Sequence, residues 1–538
     1  MLSNLNPLSL KMAISVQTPL MEDLKGYMVL FLIWLFSFVL VRSILSKAFP
    51  SRKRLLPSPL ALPIIGHLHL LKPIPHKALQ RLSRRHGPIF RLSFGSVPFV
   101  VTSSPETARE FLRVHEGSFS NRPSTVAVRY LTYGAEDFSF APYGPFWKFM
   151  KKLCMTELLG TRTLEQFFPV RHEEVETLIR SIMQKSREDK LIDIGEELTR
   201  LASNIISRMT MGKRCSGTSA EAGEVRKMVD EVGALTGEFN LQDYIWFCKN
   251  IDLQGLGKRL RDVQARLDAM MEEILKEHEE TRKKQVSACG PEATTRDIVD
   301  ILLDFVEDER AKQRLSREGV KAFILEMFTT GTGTSAGVIQ WALAELINHP
   351  AVLQRLQNEI DSVVGTGRLV EESDIPSLPY LQAIVKETLR LHPSGPLFTR
   401  ESTEECTVGG YHIPANTRLI INVWAIGKDP NYWEEPLEFR PERFMLGEGK
   451  SSEVDVRGQY YQLLPFGSGR RSCPGVSLAL QVIQAALASL VQCFDWKAGT
   501  GKNCKVDMTE APGITLTFAH PFVCIPVARD LPFLSVYA

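Results

Sequence analysis

What this chain lacks narrows its class first. No two of its nine cysteines (Cys154, Cys215, Cys248, Cys289, Cys406, Cys473, Cys493, Cys504, Cys524) form a C-x-x-C pair, which excludes zinc ribbons and thioredoxin-like redox motifs. An odd, scattered set fits a reduced, cytosol-facing protein rather than a disulfide scaffold. Excess charge is also missing. Lys+Arg 64 against Asp+Glu 62 leaves +2, so the chain has no global attraction for nucleic acid. No Gly/Ser-rich or Pro-rich linker divides its middle, and no internal repeat recurs. Length alone would allow about three or four domains, yet the chain reads as one large domain behind an N-terminal anchor. A hydrophobic content of 44% suffices for such a core.

One apolar run, Tyr27 to Val41, is interrupted only by Ser37 and extends to Leu45 if Arg42 snorkels. It approaches the roughly 20 residues a membrane span needs. Arg42, Lys47, Arg52, Lys53 and Arg54 follow it, whereas Lys11 and Lys25 precede it, offset by Glu22 and Asp23. This bias places the C-terminal bulk in the cytosol. No small-residue cleavage site follows, so the run reads as a retained anchor rather than a signal peptide. The expected organisation is a lumenal extension (1–26, with Met12 and Met21 as alternative starts), a span (27–45), a basic, proline-rich hinge (46–66) and a catalytic domain (67–538). Pro57, Pro59 and Pro63 stiffen the hinge, because each fixes φ and excludes helix.

Farther along, 88–102 reads as two short strands with a turn at Gly95-Ser96, and 116–140 as a Ser-, Tyr- and Phe-rich loop. Trp147 and Lys151 are i,i+4 neighbours on one helix face, where an indole N–H and an ammonium could hold a carboxylate. From 173 to 280 the chain is mostly amphipathic helix, and 237–245, with Phe239 and Leu241, reads as a loop roofing a substrate. Ser316 to Asn348 can run as one helix of about 33 residues, roughly 50 Å. Its centre is Thr329-Thr330-Gly331-Thr332-Gly333-Thr334-Ser335. Two glycines there cost about 1 kcal/mol each against alanine, and the hydroxyls compete for backbone carbonyls. Such a weak point marks where a ligand meets backbone. Glu387 and Arg390 in E-T-L-R are i,i+3 partners, and Pro441-Glu442-Arg443-Phe444 lies farther on.

The richest stretch is Phe466-Gly467-Ser468-Gly469-Arg470-Arg471-Ser472-Cys473-Pro474-Gly475. A thiolate is a stable ligand only where positive charge, N–H groups or a metal lower its pKa. Arg470 and Arg471 are expected to supply charge, the glycines permit close backbone approach, and the apolar helix that follows offers its positive end.

The pattern F-x-x-G-x-R-x-C-x-G resembles the haem-ligand loop of the cytochromes P-450. With W-x-x-x-K, the Thr-rich long helix, E-x-x-R and P-E-R-F in the family's order, the resemblance covers residues from about 57 to the end. The segments Y-G-P-F-W-K-F-M-K-K-L-C-M-T-E-L-L-G, F-N-L-Q-D-Y-I-W-F-C-K-N and H-P-S-G-P-L-F-T-R-E-S-T-E resemble the plant flavonoid oxidases: flavone synthase II, flavanone 2-hydroxylase, isoflavone synthase and pterocarpan hydroxylase, beside a triterpenoid hydroxylase branch.

The resemblance implies a mainly α fold with small β-sheets, a single N-terminal transmembrane helix, and haem b ligated through Cys473. It implies haem contacts from Phe466, Arg471 and Gly475, and propionate contacts from Trp147, Lys151 and Arg400. Glu387, Arg390 and Arg443 become a structural triad. Thr334 and Ser335 order proton delivery to O2. The family's acid position is occupied by Gly333, a departure that leaves open a reductase-independent isomerase or dehydratase beside the monooxygenase. Phe239, Leu241, Gly331, Leu397, Phe398 and Thr515 face a small apolar substrate. Electrons come from NADPH through cytochrome P-450 reductase in the endoplasmic reticulum membrane, docked near Lys148, Lys152 and Arg470. The Cys473 thiolate pushes electron density to iron and favours O–O cleavage.

Overall fold

The computed structural model describes residues 54–537 apart from 189, 215–219, 288–295, 309–312, 447–452 and 500–504, with 26–31, 33–34, 37 and 41 ahead of them. The chain forms two units: Met1–Leu55 with Gly410–His412, and Leu56–Gly409 with Ile413–Ala538. In the first, residues 26–31 are helical. The expected extension 1–26 and span 27–45 lie largely outside the described residues. Among the described residues, Val476–Cys493 is the one helix long and apolar enough to cross a membrane, and 67% of it is buried.

The second unit is mainly α with small sheets. Strands β1 (Ile89–Phe94) and β2 (Val97–Thr102) form an antiparallel hairpin. Gly95 turns it at φ +57°, and any Cβ there would lie 2.1 Å from the Tyr244 carbonyl oxygen. Strand β3 (Leu397–Glu401) pairs antiparallel with β4 (Arg418–Asn422), and β4 runs parallel to β2, giving the order β1-β2-β4-β3. The end of β2 and all of β4 are buried, as a strand covered on both faces must be. This sheet carries Phe398 and Arg400 toward the site.

The core is helical. Helices α1 (Pro145–Leu153), α2 (Phe168–Ser186), α3 (Ile194–Met211), α4 (Leu256–Ser287), α5 (Arg317–Gly331), α6 (Gly333–Asn348), α7 (Pro379–Leu391) and α8 (Val476–Cys493) carry most of it. Helix α6 is buried nearly all round, because α3, α7 and α8 all pack on it. The single helix expected over 316–348 is therefore two, parted at Thr332 (φ −86°, ψ −68°). The cause is local. Hydroxyls of Thr329, Thr330 and Thr334 donate to carbonyls of Leu325, Glu326 and Thr330 at 2.9, 2.7 and 2.7 Å, and Thr332 donates to Phe328. Such back-bonding bends helices. Gly331 lets α3 approach: a Cβ there would sit 2.6 Å from Ile206 Cδ1, whereas one on Gly333 would meet no atom within 4 Å.

Glu387 and Arg390 of α7 are 0% and 1% exposed. Arg390 grips Glu387 with Nε and Nη2, both at 2.7 Å, and donates to the carbonyls of Gly427, Pro436 and Glu438. Arg443 Nε reaches Glu387 Oε1 at 3.0 Å, and the Arg440 N–H does so at 2.9 Å. The cluster ties α7 to the segment ahead of the Cys473 loop.

Candidate functional site

The Cys473 loop is a compact turn. Cys473 N donates to Phe466 O and Ser472 N to Gly469 O, both at 3.0 Å. Gly467 and Gly469 adopt φ +70° and +71°, and a Cβ on Gly469 would collide with Glu116 Oε1 at 2.4 Å. Helix α8 begins immediately after Gly475. Cys473 is exposed to the open space beside the loop, yet the surrounding protein still raises its thiol pKa by desolvation, while the Gly475 N–H, Lys151 and Arg122 pull it back. The cations therefore differ from those expected. Arg470 is exposed and pairs with Glu116, Nε to Oε2 3.3 Å. Arg471 donates to the carbonyls of Ser120, Phe138 and Ala141 and lies 4.5 Å from the Trp147 ring centre. Adjacent residues in a tight turn point apart, so nearness in sequence misplaced the charge.

Cys473 faces a cavity of about 360 Å³ between this loop and the α5–α6 junction. Gly331, Thr334 and Ser335 line one side; Phe466, Arg471, Cys473 and Gly475 line the other, with Phe398 and Arg400 at its edge. A second cysteine, Cys154, also lines it. Burial pushes the Cys154 thiol far up, and Glu326 adds to the rise, with only Lys151 and its own N–H opposing. Of the two, Cys473 is the better ligand.

Three guanidiniums converge here. Burial lowers the pKa of Arg400 well below its usual range, and Arg122 and Arg471 lower it further. Arg471 falls to about 10 through burial and Arg122. Arg122 is lowered by burial too, and its Nε is buried with no acceptor. Asp137 and Glu326 offset part of the charge on Arg122 and Arg471, and the remaining excess with an unfilled donor fits an anionic ligand. A haem, with a metal for Cys473 and two propionates for the arginines, suits this donor set. Arg122 escaped the sequence reading; its one signal is a basic residue before proline in S-F-S-N-R-P. Trp147 and Lys151 stand behind the wall. The indole N–H goes to Phe138 O at 3.1 Å, and Lys151 Nζ to Ser472 O at 3.4 Å.

Beyond Thr334 opens a larger cavity of about 840 Å³, lined among others by Val232, Thr236, Gly333, Thr334, Gly513 and Thr515. Ser394, which lines the smaller cavity, ties the two together: its hydroxyl donates to Thr334 O at 3.0 Å and its carbonyl receives the Leu516 N–H at 2.9 Å. Phe239, Leu241 and Leu397 line neither cavity. Phe239 stacks on Tyr244, ring centres 5.0 Å apart. Leu241 starts a short helix and donates its N–H to Gln254, and Leu397 packs on the sheet cluster around Phe90 and Leu92. The helical stretch containing Val232 and Thr236 supplies that wall instead.

A cysteine turn facing a broken helix, with cations at its side, fits a haem-thiolate protein. Comparison makes the assignment specific. The pattern of the family Cytochrome P450 matches residues 56–524, and the chain belongs to that family. It is 53% identical over 489 residues to the 3,9-dihydroxypterocarpan 6A-monooxygenase of Glycine max, covering 90% of this chain and 95% of that one. It is 50% identical over 519 residues to the beta-amyrin 24-hydroxylase of Glycine max, covering 96% and 100%. A zebra fish cytochrome P-450 solved with abiraterone shares the fold at TM-score 0.69 and 26% identity, over 85% of this chain and 100% of that chain. The protein is a haem-dependent monooxygenase using O2, a redox partner and a small organic substrate. That assignment takes precedence over the isomerase alternative left open by Gly333.

Proposed function

We propose that Cys473 is the haem-iron ligand, that Arg122 and Arg400 neutralise the propionates, and that the larger cavity holds a flavonoid for hydroxylation or desaturation. The observation that carries this reading is the convergence of Cys473 and the guanidiniums of Arg122, Arg400 and Arg471 on one cavity that shares Thr334 with a second. The bound haem supplies dioxygen activation, and a thiolate ligand favours O–O cleavage by donating electron density. The protein does the rest. Gly475 N–H and Lys151 stabilise the thiolate; Phe466 and Arg471 shape the loop around it. Thr334 and Ser335 hold hydroxyls at the boundary where protons must pass. The wall from Val232 to Thr236 and the tip at Thr515 enclose the substrate and exclude water.

The flavonoid class rests on the likeness to the pterocarpan monooxygenase. The likeness to the beta-amyrin hydroxylase supports a second reading, a triterpenoid. The exposed Lys148, Lys152 and Arg470 offer a cationic docking face for NADPH-cytochrome P-450 reductase, and residues 27–45 anchor the chain in the endoplasmic reticulum membrane. Membranes carrying the protein and its reductase are given NADPH, heavy-isotope oxygen, and either a flavanone or beta-amyrin. One heavy oxygen in the flavanone product, or loss of two hydrogens, supports the first reading. Turnover of beta-amyrin alone overturns it in favour of the second.

A further inference from the structure

Four residues line both cavities: Ser139, Glu326, Thr330 and Thr334. One carboxyl and three hydroxyls therefore form the boundary between the candidate haem and substrate chambers. Three of them, Glu326, Thr330 and Thr334, follow at i, i+4 and i+8 along α5 into α6, a path of about 12 Å at 1.5 Å per residue. The Thr330 hydroxyl donates to Glu326 O and the Thr334 hydroxyl to Thr330 O, each at 2.7 Å. Each hydroxyl oxygen thus keeps lone pairs for a donor from the cavity, and turning its one hydrogen from the backbone carbonyl into the cavity lets it donate onward.

The half-buried Glu326 carboxyl has a buried acid for company. Its Oε2 accepts the Phe138 N–H at 2.9 Å, and its other oxygen accepts from Ser139. Asp137 is 2% exposed, with Oδ1 accepting from Phe140 N at 3.1 Å. Burial raises the pKa of both carboxyls, and Glu326 further raises that of Asp137; the N–H donors and Arg122 offset part of this. Neighbouring carboxyls, one buried and one half-buried, do not both ionise readily, so both shifts favour a proton on the pair. No acid stands at Gly333.

We propose that Glu326 feeds protons to the oxygenation along Thr330 and Thr334, supplying from two helical turns away what Gly333 cannot. This rests on the haem reading of the smaller cavity. Hydroxylation puts one atom of O2 into substrate and releases the other as water, desaturation releases both as water, and either consumes two electrons from the redox partner and two protons. Glu326 gives up a proton and regains one through the larger cavity. Its hydrogen bonds to Phe138 and Ser139 would serve equally in a residue that merely ties 137–140 to α5, so the test must separate the two roles.

The full-length holoenzyme with reductase is assayed on a flavanone, following product and peroxide per NADPH and, separately, the substrate-induced change in the haem spectrum. Proton donors of this kind contribute about 10²–10⁴-fold, so Glu326→Gln is expected to keep the spectral change while product falls ~10-fold or more and NADPH is diverted to peroxide. Gly333→Asp in the same chain is expected to recover product, since a Cβ at 333 meets no atom within 4 Å. Thr330→Val, which leaves Glu326 and its loop contacts intact, is expected to uncouple in the same way, and it decides the matter if Glu326→Gln fails to fold. Wild-type coupling in Thr330→Val, or no recovery by Gly333→Asp in a Glu326→Gln chain that keeps its spectral change, overturns the proposal. A wild-type chain that binds no haem would overturn the cavity reading itself, and the relay with it.

Discussion

Replacing Arg390 with lysine removes a guanidinium whose every donor nitrogen is engaged. Five hydrogen bonds of 2.6–3.1 Å run from it to Glu387, Gly427, Pro436 and Glu438. An ammonium has three donors, so at least two buried acceptors lose their partner, at about 1–3 kcal/mol each. Arg443 and the Arg440 N–H still reach Glu387, which keeps its charge compensated and holds the loss near the lower end, about 3 kcal/mol. Against a typical margin of about 5–15 kcal/mol, that is a large fraction of the stability. Arg440→Lys, at a guanidinium on the surface beside Glu435, is the control. Thermal unfolding followed by circular dichroism should show a clear drop for Arg390→Lys and none for Arg440→Lys. Coincident curves for wild type and Arg390→Lys would refute the reasoning.

Gly333→Ala meets no neighbour and should leave stability unchanged or raise it by up to about 1 kcal/mol, whereas Gly331→Ala presses on Ile206 and should cost about 1–3 kcal/mol; urea midpoints compare the two. Glu510, although buried, is held down to about 2 by hydrogen bonds from His76 and Lys77. Its carboxylate therefore stabilises the fold above its ordinary pKa of 4.5 and loses that contribution, about 3 kcal/mol at most, as pH falls toward 2. Unfolding midpoints across that window should fall more steeply in wild type than in Glu510→Gln. Arg122→Gln removes a half-buried cation whose Nε has no acceptor and which faces Glu326 and Asp137, so it should lower haem retention, measured by absorbance after gel filtration, by more than any loss it causes in the thermal midpoint of the haem-free fold.

Legibility followed how local the determinants are. The Cys473 turn, the weak centre of the long helix and the Glu387–Arg390 spacing are written in a few consecutive residues, and the structure shows each as a turn, a break and an ion pair. Hydrogen-bond destinations were not legible. Trp147 and Lys151 share a helix face, but the indole N–H and one Lys151 donor go to carbonyls of Phe138 and Ser472, residues brought near only by the fold. Arg122 and Glu326 meet the cavities from a loop and a helix about 200 residues apart, and no spacing rule joins them. The wall of the larger cavity was not legible for a similar reason. Phe239 has the composition of a roof, but stacking on Tyr244 turns it away, and the preceding helix lies over the cavity.

The central claim is that Cys473, and not its cavity neighbour Cys154, holds the iron. X-ray absorption at the iron edge of the purified holoprotein tests it directly. One sulfur neighbour in wild type, kept in Cys154→Ser and replaced by a lighter atom in Cys473→Ser, is the predicted result. Sulfur persisting in Cys473→Ser, or vanishing in Cys154→Ser, would contradict the account.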